Sequence, residues 1–299
     1  MKKVLVIAGP TASGKSDFAV EVAKKMGGII ISGDSIQVYK GLDIGSGKVT
    51  EEEMQGVPHY LIDILDPKEP YSVAQFQKEA RAVIDKSDVL PIVCGGTGLY
   101  VKACIYDYVF SEEGEQSVDP ALEQYSNEEL YDRLQKADPQ QALKIHPNNR
   151  RRVLRALTLI QQNQRPMSEM NDEQEHAPIY DAFIACTTMD REVLYSRINQ
   201  RVENMFAQGL EKEIRGLLQK GITFEDGCMK GIGYKEWEPY FKQECTAEEV
   251  KQTIQKHSRQ FAKKQFTWFR HQMDVHWFDP QNAEDRKRMI NEIEEWVNN

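Results

Sequence analysis

The segment that most restricts this chain is Gly9-Pro10-Thr11-Ala12-Ser13-Gly14-Lys15-Ser16, a G-x-x-x-x-G-K-[ST] run set between an apolar strand and an amphipathic helix. Lys3 to Ala8 is apolar and of strand length. From Lys15 to Met26 the apolar residues Phe18, Val22 and Met26 recur at helical spacing. Gly9 and Gly14 let the backbone turn its N–H groups inward around an anion, and the helix N-terminus adds partial positive charge. Lys15 can neutralise oxygens of a di- or triphosphate, and the Ser16 hydroxyl is placed to ligate Mg²⁺. The loop alone specifies only a phosphate ligand, because ATPases, kinases and other enzymes of diphosphate chemistry all use it.

The segments that follow alternate strand and helix. Ile29 to Ser32 is a short buried strand, Val73 to Lys86 a helix, Leu90 to Val93 a further strand, and Gly95-Gly96-Thr97-Gly98 a turn into another helix. From Ser111 to about Pro178 no strand pattern occurs. Short amphipathic helices are punctuated there by Asp119-Pro120, Asp138-Pro139 and His146-Pro147, with Ser126 placed to cap a helix ahead of Glu128 and Glu129. Strand character returns at Ala182–Thr187 and late at Val275–Phe278. The expected architecture is α/β: a P-loop NTPase-like parallel sheet core, residues 1–111 with 177–299, carrying a helical insertion domain at 112–176. Glu112 to Glu115 and Asn171 to His176 are the expected hinges.

The second strand ends in Gly33-Asp34-Ser35-Ile36-Gln37. Ligands of open parallel sheets sit beyond the carboxyl ends of the strands, which brings Asp34 to the phosphate loop from the tip of a neighbouring strand. A carboxylate there can act as general base or hydrogen-bond acceptor for an attacking group, or simply cap its own turn. Ser35 and Gln37 add donors and acceptors, and a glutamine can read an adenine edge. The tip at Ile92-Val93-Cys94-Gly95 lacks the acid that motor and switch NTPases use there. No Asp-Asp-x-x-Asp cluster exists to hold Mg²⁺–diphosphate, so an allylic diphosphate would have to be held by the glycine loop.

A net charge of −9 speaks against nucleic acid until its distribution is read. Residues 250–273 hold Lys251, Lys256, Arg259, Lys263, Lys264 and Arg270 with no Asp or Glu. At 100° per residue Lys256, Arg259, Lys263 and Arg270 fall within about 60° of one another, opposite Val250, Ile254, Phe261 and Trp268. One face is then core and the other a cationic stripe roughly 20 Å long, suited to a phosphate backbone. Arg151, Arg152 and Arg155 share a side of a second helix, with Val153, Leu154 and Leu157 on the other. Two such stripes could grip an RNA. Arg215 lies among acids and could pair with Glu211 four residues before it. Gly231 and Gly233 permit close backbone approach.

Length and composition (299 residues, 40% apolar) describe a globular chain with ample core, and no apolar stretch nears the ~20 residues of a membrane span. Five cysteines without C-x-x-C spacing, and an N-terminus without signal-peptide anatomy, lead to the expectation of a cytoplasmic, monomeric protein without disulfides.

In order along nearly the whole chain, several blocks resemble the bacterial tRNA dimethylallyltransferases, also called isopentenyl-tRNA transferases. These are Gly9–Ser16, Asp34-Ser35-x-Gln37-x-Tyr39-x-Gly41-x-x-Ile44-Gly45, His59–Asp63 and Gly95–Tyr100. Then come His146-Pro147-Asn148-Asn149 with the following arginines, Gly231-x-Gly233-Tyr234, and Gln260-x-Ala262-Lys263-Lys264-Gln265-x-Thr267-Trp268-x-Arg270. The resemblance implies transfer of a dimethylallyl group from dimethylallyl diphosphate to N6 of the adenine beside the tRNA anticodon, with diphosphate and Mg²⁺ held by Gly9–Ser16. It implies that Asp34 accepts a proton or hydrogen bond from the amine, and that Arg215 closes over the diphosphate. It also implies that tRNA is met by Asp34, Ser35, Ile36, Gln37, Gly95, Thr97, Arg151, Arg152, Arg155, Lys230, Gly231, Gly233, Arg259, Lys263, Lys264 and Arg270, the insertion clasping the anticodon stem-loop. The arginine that relatives place after Gly-Gly-Thr has no counterpart between Tyr100 and Asp119. Ser46-Gly47-Lys48-Val49 departs from the usual Thr-Ala-Lys-Pro, and the end at Asn299 without a zinc-finger extension fits the bacterial form. The alternative from another class is a P-loop small-molecule kinase, with ATP in the loop and Asp34 orienting an acceptor hydroxyl. A non-catalytic RNA-binding ATPase would leave Asp34 unexplained.

Overall fold

In the computed structural model, residues 1–110, 119–172 and 177–299 are described. The strands are β1 (Lys3–Ala8), β2 (Ile29–Ser32), β3 (His59–Tyr60), β4 (Pro91–Gly95), β5 (Asp181–Thr187) and β6 (His276–Phe278). The helices of the first unit begin with α1 (Lys15–Met26), α2 (Glu51–Met54), α3 (Val73–Lys86) and α4 (Gly98–Ile105). In the insertion, α5 (Pro120–Glu123), α6 (Asn127–Ala137), α7 (Pro139–Leu143), α8 (Arg150–Asn163) and α9 (Met167–Asp172) follow. The chain closes with α10 (Arg191–Ala207), α11 (Leu210–Gln219), α12 (Glu238–Phe241), α13 (Ala247–Gln272) and α14 (Ala283–Asn298).

All six strands run parallel in the order β3-β2-β4-β1-β5-β6. Their residues are continuous apolar runs because both faces are covered, as parallel sheets require. On one face Val4, Val6, Ile31 and Val93 pack with Phe76, Ile84, Tyr100, Val101 and Phe269 from α3, α4 and α13. On the other, Leu5, Ile7, Ile30 and Ile92 pack with Phe18, Val22, Met289 and Ile293 from α1 and α14. A third cluster joins Val38, Tyr39 and Leu42, after β2, to α10, α11, Tyr234, Trp237 and the first turns of α13.

Two compact units result: Met1–Tyr106 with Pro178–Asn299, and Asp107–Ala177. Among its described residues the second holds helices and no strand, around Leu122, Leu130, Leu134, Val153 and Leu157. Asp119 and Asp138 cap α5 and α7 with proline at the first helical position, and Ser126 forms a capping box with Glu129. The expected hinge at Glu112–Glu115, and residues 173–176 of the other, lie outside the described residues.

Two expectations need correction. β2 is not next to β1, because β4 lies between them. And Phe261, assigned to the core face of α13, is 39% exposed, while Trp268 is only half-buried. Ala262 instead packs on Leu194 and Ile198 of α10, so a small residue at the helix contact turns the buried face away from Phe261.

Candidate active site

The Gly9–Ser16 loop leaves β1 at its carboxyl end and enters α1 with Gly14 left-handed (φ 87°) and no side chain capping the helix. A Cβ on Gly9 would lie 1.9 Å from the Thr187 hydroxyl at the end of β5, so only glycine fits. Beneath the loop, Ser13 Oγ donates to Pro10 O (2.8 Å) and shares a 2.6 Å hydrogen bond with Thr187 Oγ1. Ala12 is left-handed without being glycine (φ 62°), a conformation costing about 1 kcal/mol or more. Its carbonyl accepts from Arg197 Nε at 2.9 Å. Buried Gln265 of α13 accepts from Thr11 N (3.0 Å) and donates to Gly96 O (2.9 Å). The cradle is thus braced from β5, α10 and α13.

Glycines at the strand tips let Asp34 reach this cradle across β4. A Cβ on Gly95 would meet Gly33 O at 2.6 Å, and one on Gly96 would meet Gly9 O at 2.9 Å. The backbones after β2, β4 and β1 are therefore in direct succession, and Asp34 acts electrostatically on Lys15. The Asp34 carboxylate also accepts from the backbone N–H groups of Ile36 (2.8 Å) and Gln37 (3.2 Å). Asp34 therefore caps its own turn and at the same time stands by the phosphate loop.

Lys15 folds back to donate to Pro10 O at 3.3 Å. Burial lowers its pKa below the ordinary lysine value; Cys94 and Asp34 oppose the shift and Arg201 adds to it. Arg201, on α10, stands in this site although its sequence context gives no sign of it. Burial lowers its pKa too, while Asp34 and Glu53 raise it. Its Nη2 donates to Ser46 O at 3.2 Å. Lys15, Arg201 and Asp34 thus form one electrostatic group. Arg215 does not join it: its guanidinium pairs with Glu211 at 2.6 Å and lies 5.1 Å from the centre of the Phe241 ring.

The remaining expected residues divide into three sets. Gly231 and Gly233 adjoin the Asp34 segment, since their added Cβ atoms would meet Ile36 and Gly45 O at 2.9 Å. Ser35, Ile36, Gln37 and Thr97 are half-buried, and Gln37 Nε2 donates to Gly47 O at 3.2 Å. Gly95 is buried at the tip of β4. On α13, Lys263, Lys264 and Arg270 are exposed and make no ion pair among the described residues. Arg259 is spent on Asn199 Oδ1, Lys251 on Glu203 and Glu248, and Lys230 on Glu225. Lys263 and Lys264 border an open cavity of about 620 Å³ with Gln260, Thr267, Trp268, His271 and Gln272. In the insertion, Arg151, Arg152 and Arg155 are exposed, whereas Arg150 donates to Glu123 O and Tyr125 O.

The donor set at the loop suits a magnesium ion brought with its diphosphate. Ser16 is an exposed residue at the head of α1, and no group of three or more His, Cys, Asp or Glu residues converges among the described residues. A small hard cation there would take most of its oxygens from the ligand and water. Among the described residues no helix is long and apolar enough to cross a membrane.

A family model described as IPP transferase matches residues 37–272, and one described as isopentenyl transferase matches residues 2–68. A tRNA dimethylallyltransferase of Anoxybacillus flavithermus is 45% identical over 300 residues, covering 99% of this chain and 96% of that protein. One from Staphylococcus carnosus is 47% identical, covering 92% and 90%. A crystal structure of a Bacillus halodurans tRNA isopentenylpyrophosphate transferase superposes with a TM-score of 0.75 at 39% identity, covering 100% of this chain and 97% of that one. A eukaryotic dimethylallyltransferase captured acting on tRNA superposes with a TM-score of 0.87 at 30% identity, covering 100% and 80%.

Proposed function

We infer, for a chain that belongs to the IPP transferase family, a prenyl transfer: the dimethylallyl group of dimethylallyl diphosphate passes to N6 of the adenine 3′ to the tRNA anticodon, releasing diphosphate. One observation carries the assignment of parts. The anion cradle at β1 and the carboxylate at β2 are brought together across a β4 tip reduced to two glycines.

The Gly9–Ser16 loop and Lys15 hold the diphosphate and offset the negative charge that grows on it as the carbon–oxygen bond breaks. Arg201 supplies a second cation, the task expected of Arg215. The Ser16 hydroxyl would hold a magnesium ion, which would supply further charge neutralisation when bound. Asp34 accepts the N6 proton or a hydrogen bond from the amine as nitrogen attacks the allylic carbon. Its turn bonds to the N–H groups of Ile36 and Gln37 fix that carboxylate's direction. The adenine must leave its stack to enter such a site. Gln37, Ser35 and Thr97 are placed to meet it, while Lys263, Lys264 and Arg270 meet the RNA backbone. The three exposed arginines of the insertion offer a second phosphate contact, on the anticodon stem-loop.

A phosphate-transferring kinase would leave these unpaired cations of α13 without a task. Incubation with radiolabelled dimethylallyl diphosphate and unmodified tRNA, followed by nucleoside analysis, should place label on one adenosine beside the anticodon. Label-free tRNA, with phosphate passing from ATP to a small metabolite, would refute the assignment.

A further inference from the structure

Glu213 lies on α11, outside the group formed by Lys15, Arg201 and Asp34, yet its carboxylate gathers one whole side of a turn that ends there. It accepts from three consecutive backbone N–H groups, Asp43 (3.0 Å), Ile44 (2.7 Å) and Gly45 (3.1 Å), and from the Tyr234 hydroxyl (2.8 Å). Ser46 N donates to that same hydroxyl at 3.1 Å. A Cβ on Gly45 would lie 2.5 Å from Tyr234 Cζ, so ring and turn are in direct contact. The carbonyls at the far end of the turn carry the opposite assignment. Ser46 O accepts from Arg201 Nη2, and Gly47 O accepts from Gln37 Nε2, both at 3.2 Å. Gly47 is left-handed (φ 57°), and a Cβ there would sit 1.8 Å from Arg201 Nη2. Lys48, paired with Asp43 and Asp63 and donating to Tyr39 O, closes the turn on its other flank.

We propose that Glu213 is a positioning residue, which orients the 43–47 turn so that the Ser46 carbonyl stations Arg201 beside the diphosphate cradle and Asp34. The inference rests on the reading of that site given under Proposed function. Three N–H donors converging on one site need an acceptor with lone pairs in every direction they point. A carboxylate provides this, and its charge makes each bond roughly twice as strong as a neutral one. A glutamine provides one oxygen and turns an NH₂ group toward N–H donors, so the turn must rotate away. Arg201 then loses its anchor while keeping its charge.

The test combines Glu213→Gln, Arg201→Lys and the double variant. The affinity of each for inorganic diphosphate with Mg²⁺ is measured by calorimetry, and kcat/KM for dimethylallyl diphosphate at saturating tRNA. Glu213→Gln should weaken diphosphate binding and lower kcat/KM by about tenfold, with the tRNA Kd within about twofold of wild type. In the Arg201→Lys background the same substitution should cost less than about threefold, because its route to the site is already broken. Wild-type values for Glu213→Gln, an undiminished loss beside Arg201→Lys, or a parallel collapse of tRNA binding would each overturn the proposal. Should Glu213→Gln not fold, Tyr234→Phe leaves the carboxylate in place and should give a loss of about threefold that vanishes in the Arg201→Lys background. Persistence of that loss, or its absence in the wild-type background, would likewise overturn it. The calorimetric readout needs no transfer reaction, so failure of the prenyl-transfer assignment would leave the Glu213 result readable.

Discussion

Replacing Gly96 by alanine should damage the diphosphate cradle without touching any ligand-binding atom. Gly96 has no left-handed φ, so the cost is steric and not conformational. The new methyl would lie 2.1 Å from Gln265 Nε2 and 2.9 Å from Gly9 O. The backbone cannot yield at Gly9, because Gly9 is itself pressed against Thr187, so the Gln265 amide must leave. Its departure breaks the bonds from Thr11 N and to Gly96 O. Two neutral bonds are worth about 1–3 kcal/mol together, and buried groups left without partners raise that to roughly 2–4 kcal/mol. For a chain of 299 residues the midpoint of thermal unfolding should fall by about 3–6 °C. Diphosphate affinity should fall with it, since Thr11 belongs to the loop and loses its brace. Differential scanning calorimetry of Gly96→Ala, Gln265→Ala and the double variant separates the causes. If Gln265 is the obstacle, truncating it relieves the clash, and the double variant should be no less stable than Gly96→Ala alone. Strict additivity of the two losses, or a Gly96→Ala protein with wild-type stability and diphosphate affinity, would refute this packing.

Three other outcomes follow from the same geometry. Asp34→Asn keeps an oxygen for the turn bonds to Ile36 and Gln37 while removing the charge, so kcat should fall by about 10²–10⁴ with tRNA affinity nearly unchanged; rapid-quench and filter-binding assays check the two halves. Lys263→Ala with Lys264→Ala removes two exposed, unpaired cations and should reduce the slope of log K against log salt for tRNA by about 1.4, read by titration at several salt concentrations. Diphosphate binding favours charged Lys15, whose pKa is lowered by burial, so affinity should be full below that pKa. It should decline, as pH rises, earlier than an ordinary lysine would allow. Calorimetry between pH 7 and 10 checks this, and Lys15→Arg should remove the decline.

Much of the core is local and so was legible in the residues. The spans Lys15–Met26, Ile29–Ser32 and Val73–Lys86 are the elements observed, because each is an apolar period bounded by glycine or by a capping residue. β3 had no such signal: His59 and Tyr60 are two half-exposed residues that pair only because β2 lies alongside. The site divides in the same way. Gly9–Ser16 and Asp34 announce themselves in short contiguous motifs. Arg201 sits inside an ordinary amphipathic helix and reaches Lys15 only through the fold. Arg215 showed its local partner, Glu211 one turn earlier, and that pairing is what the structure holds. In the sequence Glu213 is one acid among several near Arg215, because its acceptor role depends on a turn some 170 residues earlier in the chain. Of the cationic stripe of α13, Lys256, Lys263 and Arg270 are exposed. Arg259 leaves it, because α10 offers Asn199.

The most direct measurement is a crystal structure of the protein with an unmodified anticodon stem-loop and an unreactive thiolo analogue of dimethylallyl diphosphate. The two phosphates should lie against the backbone of Gly9–Ser16 with Lys15 and Arg201 in contact. An unstacked adenine should place N6 about 3 Å from an Asp34 carboxylate oxygen. Phosphates seated away from the loop, or an adenine whose N6 faces another residue, would contradict the account.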